Sequence, residues 1–175
     1  KIISSLGIIK KHYKILDAGC GTGSLAIMLK QKYKDIELHG IDIDKNILKI
    51  AENKSRKNKV EIFFKQALIQ SLPYKSSFFD IIYSSLVIHH LKTKDKILAM
   101  KGIYRALKKD GFFILADFGK PKSFITAPFS WLSLLEEGYD NYKGLIPKFL
   151  SQAGFKNINI LGRYRFNIVF LMAKK

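Results

Sequence analysis

From residue 13 onward, short apolar runs alternate with longer stretches in which apolar residues recur every third or fourth position. Residues 13–17 form one such run, ending in an acid and followed by a glycine-rich turn. Residues 24–33 carry helical spacing, with Leu25, Met28 and Leu29 on one side. Residues 36–43 read as a second strand, and Asp44 is placed to cap a helix bearing Ile47, Leu48, Ile50 and Ala51. Further strands are predicted over 60–64, 79–84 and 111–117. Between the last two, a helix is expected over 94–108, with Ile97, Leu98, Ile103, Tyr104 and Leu107 apolar. Strands that are nearly all apolar and separated by helices imply a parallel sheet covered on both faces.

The C-terminal end follows a different pattern. A helix is predicted over 147–153, with Gly154 as its stop. Two strands, 155–161 and 165–173, are joined by a tight turn at Gly162, Arg163 and Tyr164. So short a link cannot make a parallel crossover, so the pair must be an antiparallel hairpin. The expected architecture is α/β: a seven-stranded, mostly parallel sheet with helices on both faces, closed by a C-terminal antiparallel hairpin. With 175 residues, no internal repeat and no linker, one domain over residues 1–175 is expected.

Composition narrows the classes. Apolar residues make up 47% and charged residues 26%, which fits a globular chain and excludes a disordered one. A single cysteine excludes both a disulfide framework and a thiolate metal cluster. The 31 basic residues outnumber 14 acidic ones, a net charge of +17 that should draw the protein toward nucleic acid, anionic lipid or an acidic small molecule. Arginine, the residue that clamps phosphates and reads guanine edges, occurs only at Arg56, Arg105, Arg163 and Arg165. The lysines are scattered along the chain, as on solvated helix faces. No run approaches the ~18 apolar residues of a spanning helix, and the N-terminus lacks the apolar core of a signal peptide. The expected address is cytoplasmic, possible peripheral contact with an anionic membrane included. Lacking an initiator Met, the chain reads as a trimmed fragment. Oligomeric state has no signature in the sequence.

The glycine loop carries the strongest chemical signal. Asp17-Ala18-Gly19-Cys20-Gly21-Thr22-Gly23-Ser24 lies between the first strand and the first helix. Glycines there let the backbone turn tightly and approach a ligand, while the helix N-terminus faces an anionic group. The dinucleotide fingerprint would need glycine where Ser24 stands, and no Gly-Lys-Ser/Thr follows to make a P-loop.

At these residues the chain resembles the class I S-adenosylmethionine-dependent methyltransferases. Ile15-Leu16-Asp17-Ala18-Gly19-Cys20-Gly21-Thr22-Gly23 is close to that family's first motif. The resemblance continues through Gly40-Ile41-Asp42-Ile43-Asp44, Leu72-Pro73-Tyr74, Ser77-Phe78-Phe79-Asp80-Ile81-Ile82 and Leu86-Val87-Ile88-His89-His90-Leu91. It closes with the stretch from Ile103 to Gly111 and with Ala153-Gly154-Phe155. It implies a Rossmann-like fold, S-adenosyl-L-methionine as cofactor, and an antiparallel final pair, which agrees with the hairpin read from the strand spacing.

The resemblance also implies a cofactor site. Asp42, about 20 residues beyond the glycine loop, would accept both ribose hydroxyls, with Asp44 serving instead as a helix cap. The family's usual acid after the third strand is missing; Leu68 or, with a short gap, Gln66 takes its place against adenine. Asp17 would brace the loop or reach the methionine ammonium, the methionine carboxylate would sit near the N–H groups of the first helix, and Gly19, Gly21 and Gly23 belong to the expected cofactor site. Cys20 fills a position for a small residue. Ile43, Ala67 and Ser84 complete the expected cofactor set.

Catalysis from a methylsulfonium rests mainly on aligning the acceptor, with a base needed only when the acceptor must lose a proton. His89 and His90 follow the fourth strand, at the strand end where open α/β sheets bind substrate. Of the two, the resemblance favours His90. The Asn/Asp-Pro-Pro-Tyr/Phe signature of adenine and glutamine N-methylation is replaced by Ser84-Ser85-Leu86-Val87. The expected acceptor is therefore a small hydrophobic or lipid-like molecule, such as a quinone precursor or phospholipid. An RNA or protein methyltransferase and a catalytically weak cofactor-binding module are the alternatives, nucleic acid being the less favoured partner. Residues 124–135, apolar and holding Trp131, follow Lys120 and Lys122 and read as a pocket lid or membrane-facing segment. Only a dozen residues precede the first strand, so an open site or a lost N-terminal cap is expected.

Overall fold

The computed structural model describes residues 7–120, 138–164 and 167–175. Seven strands form one sheet: β1 (Lys14–Ala18), β2 (Glu37–Asp42), β3 (Phe63–Gln66), β4 (Phe79–Ser85), β5 (Leu107–Phe118), β6 (Lys156–Tyr164) and β7 (Ile168–Lys174). Their order is β3-β2-β1-β4-β5-β7-β6. Pairing is parallel from β3 to β5, and β7 runs antiparallel to both of its neighbours. The order reverses at β1, where β2 lies on one side and β4 on the other, which opens a crevice at the strand ends.

The helices are α1 (Ser24–Lys32), α2 (Lys45–Lys57), α3 (Thr93–Ala106), α4 (Tyr139–Lys143) and α5 (Ile146–Gln152). Alternate residues of each strand enter opposite layers. Leu16, Ile82, Phe113 and Leu115 pack with Met100, Ile103 and Leu150 of α3 and α5. Ile15, Ile81, Tyr83 and Ile114 pack with Ala26 and Leu29 of α1. Both faces of the central strands are therefore buried, which is why those strands read as continuous apolar runs.

Several boundaries differ from the sequence expectation. β3 lies about three residues later than 60–64, because its register is set by pairing with β2, Gly40 opposite Phe64 and Asp42 opposite Gln66. β5 begins at Leu107, directly after α3, whereas Lys108-Lys109-Asp110 reads as polar helix end. A register shift against β4 and a left-handed Asp110 absorb the irregular stretch. The hairpin turn is not at 162–164: those residues lie within β6, and Tyr164 pairs with Ile168.

The buried faces of helices also depart from simple apolarity. Met28, Ile50 and Leu98 are exposed, while Ala26, Ala51 and Ala99 are buried. On α3 the buried stripe runs Lys96, Ala99, Met100, Ile103, Ala106. Lys96 is fully buried and its Nζ lies 3.2 Å from Asp140 Oδ2, which also accepts from Thr93 Oγ1 at 2.8 Å. This buried ion pair fastens α4 to α3.

Removing one partner of such a pair strands the other charge out of water, whereas removing both does not. Lys96→Met should lower the unfolding free energy by about 3 kcal/mol. The double variant Lys96→Met/Asp140→Leu should recover much of that loss, as read by urea denaturation.

Candidate active site

The loop after β1 is held against the end of β2. The Gly19 and Cys20 N–H groups donate to Ile41 O at 2.9 and 2.8 Å, and Gly21 N–H donates to Asp42 Oδ2 at 2.9 Å. Gly19, Gly21 and Gly23 all have positive φ. A Cβ on Gly19 would overlap Val87, and one on Gly23 would stand 3.0 Å from the Ala51 Cβ. A Cβ on Gly21 would meet nothing within 4 Å. The outer glycines thus allow close packing, while the backbone at Gly21 is open to a ligand. Gly23 caps α1 without a side-chain hydrogen bond, so the first-turn amides of that helix are available to an anion.

Asp42 anchors this arrangement. Its second oxygen accepts from Asp44 N–H at 3.0 Å. Asp44 in turn caps α2 through Asn46 N–H and Ile47 N–H at 2.7 and 3.2 Å, as the sequence suggests. A carboxylate offers about four acceptor positions, and among the described residues two on Asp42 are filled. The remainder could take a ribose diol. Ala67 N–H donates to Asp42 O at 3.0 Å, and Gln66 Nε2 donates to Ile43 O at 2.9 Å. These bonds lace the ends of β2 and β3 together. Among the described residues they leave the Gln66 amide oxygen as an unspent acceptor. Ile43 and Leu68 stand 63% and 41% exposed beside them, large apolar side chains between which an adenine could lie. The open glycine cradle, the unfilled acceptor positions of Asp42 and these apolar flanks fit S-adenosylmethionine.

Asp17 is buried beneath the loop, and its carboxyl is pushed up to about 7, chiefly by burial and further by the charge of Asp42. The Tyr83 hydroxyl stands close enough to oppose this, but its geometry falls short of a hydrogen bond. Cys20 is buried as well, and its thiol is raised by burial and by both aspartates, which leaves it an inert space-filler. Ser84 does not present its hydroxyl to the crevice: it is buried and donates to Ala18 O at 2.7 Å, tying β4 to β1.

His89 and His90 lie on a single 3₁₀ turn, Ile88–His90, after β4. The structure gives the carboxylate partner to His89. Its Nδ1 is 2.6 Å from Asp117 Oδ1, and its backbone N–H is 3.3 Å from Oδ2. The same carboxylate accepts from Phe118 N–H at 2.7 Å. His90 is exposed and its ring lies tilted against that of His89, centroids 3.9 Å apart, while His89 also meets Phe118 edge-on at 4.8 Å. An ionised Asp117 can only accept, so Nδ1 carries the proton and Nε2 is left as the basic nitrogen. The preference for His90 is thus not supported by the contacts. Asp117 was missed, although it shows the same signature as Asp17 and Asp42, an acid at the end of an apolar strand. The segment 124–135 and Lys122 lie outside the described residues.

A family model described as a methyltransferase domain matches residues 9–158. The chain is 31% identical over 140 residues to a ubiquinone/menaquinone biosynthesis C-methyltransferase of Vibrio parahaemolyticus, covering 77% of this chain and 49% of that protein. It is 28% identical over 155 residues to a phosphoethanolamine N-methyltransferase of Triticum aestivum, covering 86% and 29%. The chain therefore spans less than half the length of these two relatives. Among solved structures, an S-adenosylmethionine-dependent methyltransferase from Methanosarcina mazei superposes with a TM-score of 0.77 at 21% identity, covering 99% of this chain and 96% of that one. A phosphoethanolamine N-methyltransferase 2 of Haemonchus contortus, solved with S-adenosyl-L-methionine, gives 0.76 at 18% identity, covering 99% and 51%. The chain belongs to the class I S-adenosylmethionine-dependent methyltransferases.

Asp17 makes the stability of the free protein depend on pH. Between the ordinary aspartate value of 3.8 and about 7, the folded protein holds a proton that the unfolded chain has released. Stability contributed by this group therefore falls as pH rises through that window. Asp17→Asn should raise the urea midpoint at pH 8, on the order of 1–3 kcal/mol in stability, and change little at pH 4. An equal effect at both pH values would show that Asp17 does not titrate in this window.

Proposed function

We propose that this methyltransferase moves the methyl group of S-adenosylmethionine to a small-molecule acceptor of hydrophobic or lipid-like character, with His89 as the base. The observation that carries the reading is the His89–Asp117 pair, at the end of the strand next to the one whose loop is fastened by Asp42. S-adenosylmethionine, when bound, supplies a methyl group on a sulfonium whose leaving group is a neutral thioether. In this reading Asp42 accepts the ribose hydroxyls, and the amides of the glycine loop and first turn of α1 face the methionine carboxylate. Ile43, Ala67 and Leu68 flank the adenine, and the Gln66 amide oxygen receives its amino group in place of a carboxylate. A charge-assisted bond from such a diol contributes roughly 1.5–3 kcal/mol.

His89 Nε2 takes the proton that the acceptor loses, and Asp117 holds the ring in the required tautomer and offsets the charge that forms. Two features support a small acceptor. The chain lacks the Asn/Asp-Pro-Pro-Tyr/Phe signature, carrying the exposed Leu86 and partly buried Val87 in that region. The relatives quoted above are named for a quinone-pathway and a phosphoethanolamine reaction.

A radiolabelled methyl-transfer screen across lipid extract, quinone precursors, RNA and protein tests the acceptor class; label confined to RNA or protein would reject it. Asp42→Ala should weaken S-adenosylmethionine binding roughly ten-fold or more by calorimetry. On a confirmed acceptor, His89→Gln should lower kcat about 100-fold, and Asp117→Asn should also lower it, while His90→Gln changes it little. Full turnover by His89→Gln would remove the base assignment.

A further inference from the structure

A cavity of about 310 Å³ adjoins the pair just described, between the end of β5, helices α4 and α5, and the β6–β7 ribbon. Asp117 is common to both: it lines the cavity and holds the His89 ring. The inner wall is apolar, with Leu115, Ile146, Val169 and Leu171. Two observations make it more than a gap in packing.

The first is a buried polar group without a partner. Asn141 is fully buried and lines the cavity. Its Nδ2 donates to Phe118 O at 3.0 Å. A carbonyl can only accept, so the amide orientation is fixed and the other atom is Oδ1. That oxygen is buried and has no hydrogen-bond partner among the described residues. An orphaned buried acceptor costs about 1–3 kcal/mol, which a ligand donor would relieve. The fold holds it in place deliberately, since the neighbouring Asp140 is locked by the Lys96 ion pair.

The second is the charge at the mouth. Lys120, just beyond β5, Lys143 at the end of α4 and Arg163 of β6 line the cavity. Arg163 Nη1 donates to Lys120 O at 2.9 Å, and Gly144 packs its α-carbon region against the Lys120 side chain. Among the described residues none of the three cations meets a carboxylate; Lys143 lies over the Tyr139 ring. Asp117, the one acid among the described residues that line the cavity, already accepts from His89 and Phe118. Three like charges around one opening, with no ion pair to a carboxylate among the described residues, favour an anion there.

We propose that this cavity is the acceptor's recognition subsite and takes a small phosphomonoester or similarly anionic group that also carries a hydroxyl or amine donor. The anion meets Lys120, Lys143 and Arg163, and the donor meets Asn141 Oδ1. The inference rests on the methyltransferase reading of the adjoining site and narrows its acceptor from apolar in general to one with an anionic head. The volume is at the small end of ligand sites, so it holds the head, and any apolar remainder extends outward.

Calorimetry on the full chain with glycerol 3-phosphate and with methyl phosphate, which lacks the hydroxyl donors, tests both halves. Glycerol 3-phosphate should bind several-fold more tightly. Lys143→Gln and Arg163→Gln should each weaken both ligands roughly ten-fold, while S-adenosylmethionine binding, measured in the same preparations, stays unchanged and reports an intact fold. Vesicles of phosphatidylcholine with phosphatidylglycerol form the second arm. Binding lost in the same variants assigns the anion to a lipid headgroup; glycerol 3-phosphate binding without vesicle binding assigns it to a soluble ester. S-adenosylmethionine binding without binding of any phosphate probe, or phosphate binding indifferent to Lys143 and Arg163, overturns the subsite and leaves the methyltransferase reading standing. If the two phosphates bind equally, the role of Asn141 is overturned.

Discussion

Leaving β1, the backbone must change from strand to helix within a few residues, next to a buried sheet, without stranding its amides. The end of β2 receives them: Ile41 O takes two, and the Asp42 carboxylate takes a third. Each of these acceptors must be at one height relative to the loop, so the β1–β2 register, with Asp17 opposite Gly40 and Ala18 opposite Ile41, becomes a condition for the loop to form. The same bonds turn Asp42 into a fixed, partly satisfied carboxylate at the mouth of the crevice. Preorganisation of this kind means that a ligand meeting Asp42 does not have to restrain it first. Ser84, bonded to Ala18 O, extends the brace to β4, and so to the turn that carries His89.

Three carboxylates therefore gather along the C-terminal ends of β1, β2 and β5, inside a chain whose net charge is +17. Each is handled differently. Backbone N–H groups hold Asp42, an imidazole and two amides hold Asp117, and Asp17 has the misaligned Tyr83 hydroxyl beside it. Asp17 is accordingly the one driven toward its neutral form. A locally negative crevice suits a cofactor that carries both a sulfonium and an ammonium.

Much of this was legible beforehand. Strand and helix alternation, the antiparallel end and the placing of Asp44 as a cap came from short-range patterns, and the structure agrees. The losses have identifiable causes. Edge strand β3 has an exposed, polar face, so its position is set by pairing with β2, which leaves little trace in its own residues. Small alanines, not the large Met28 and Leu98, face the sheet, because helices pack closely there and a larger side chain turns outward. Lys96 sits in a buried stripe that no apolarity count can identify, since its partner is 44 residues away. The choice between His89 and His90 could not be made from adjacent identical residues. The base proposed above is the one that meets Asp117 across the sheet, and the hint in the sequence is an acid closing an apolar strand.

The same reasoning changes the meaning of the net charge. Screening limits an exposed charge to about 8–10 Å at ordinary ionic strength, so dispersed lysines do not act together at any one point. What matters is where several fall within that distance without acids between them. Lys120, Lys143 and Arg163 are spread over 44 positions of sequence and form no run, yet folding brings them to one opening. The sum of +17 made nucleic acid the obvious partner; the local pattern instead pairs a negative inner crevice with a positive rim one strand away. That polarity orients a ligand as well as attracting it. If the rim takes the anionic head proposed above, a cationic cofactor is drawn to the aspartates while that head is kept at the rim, and each is repelled from the other's place.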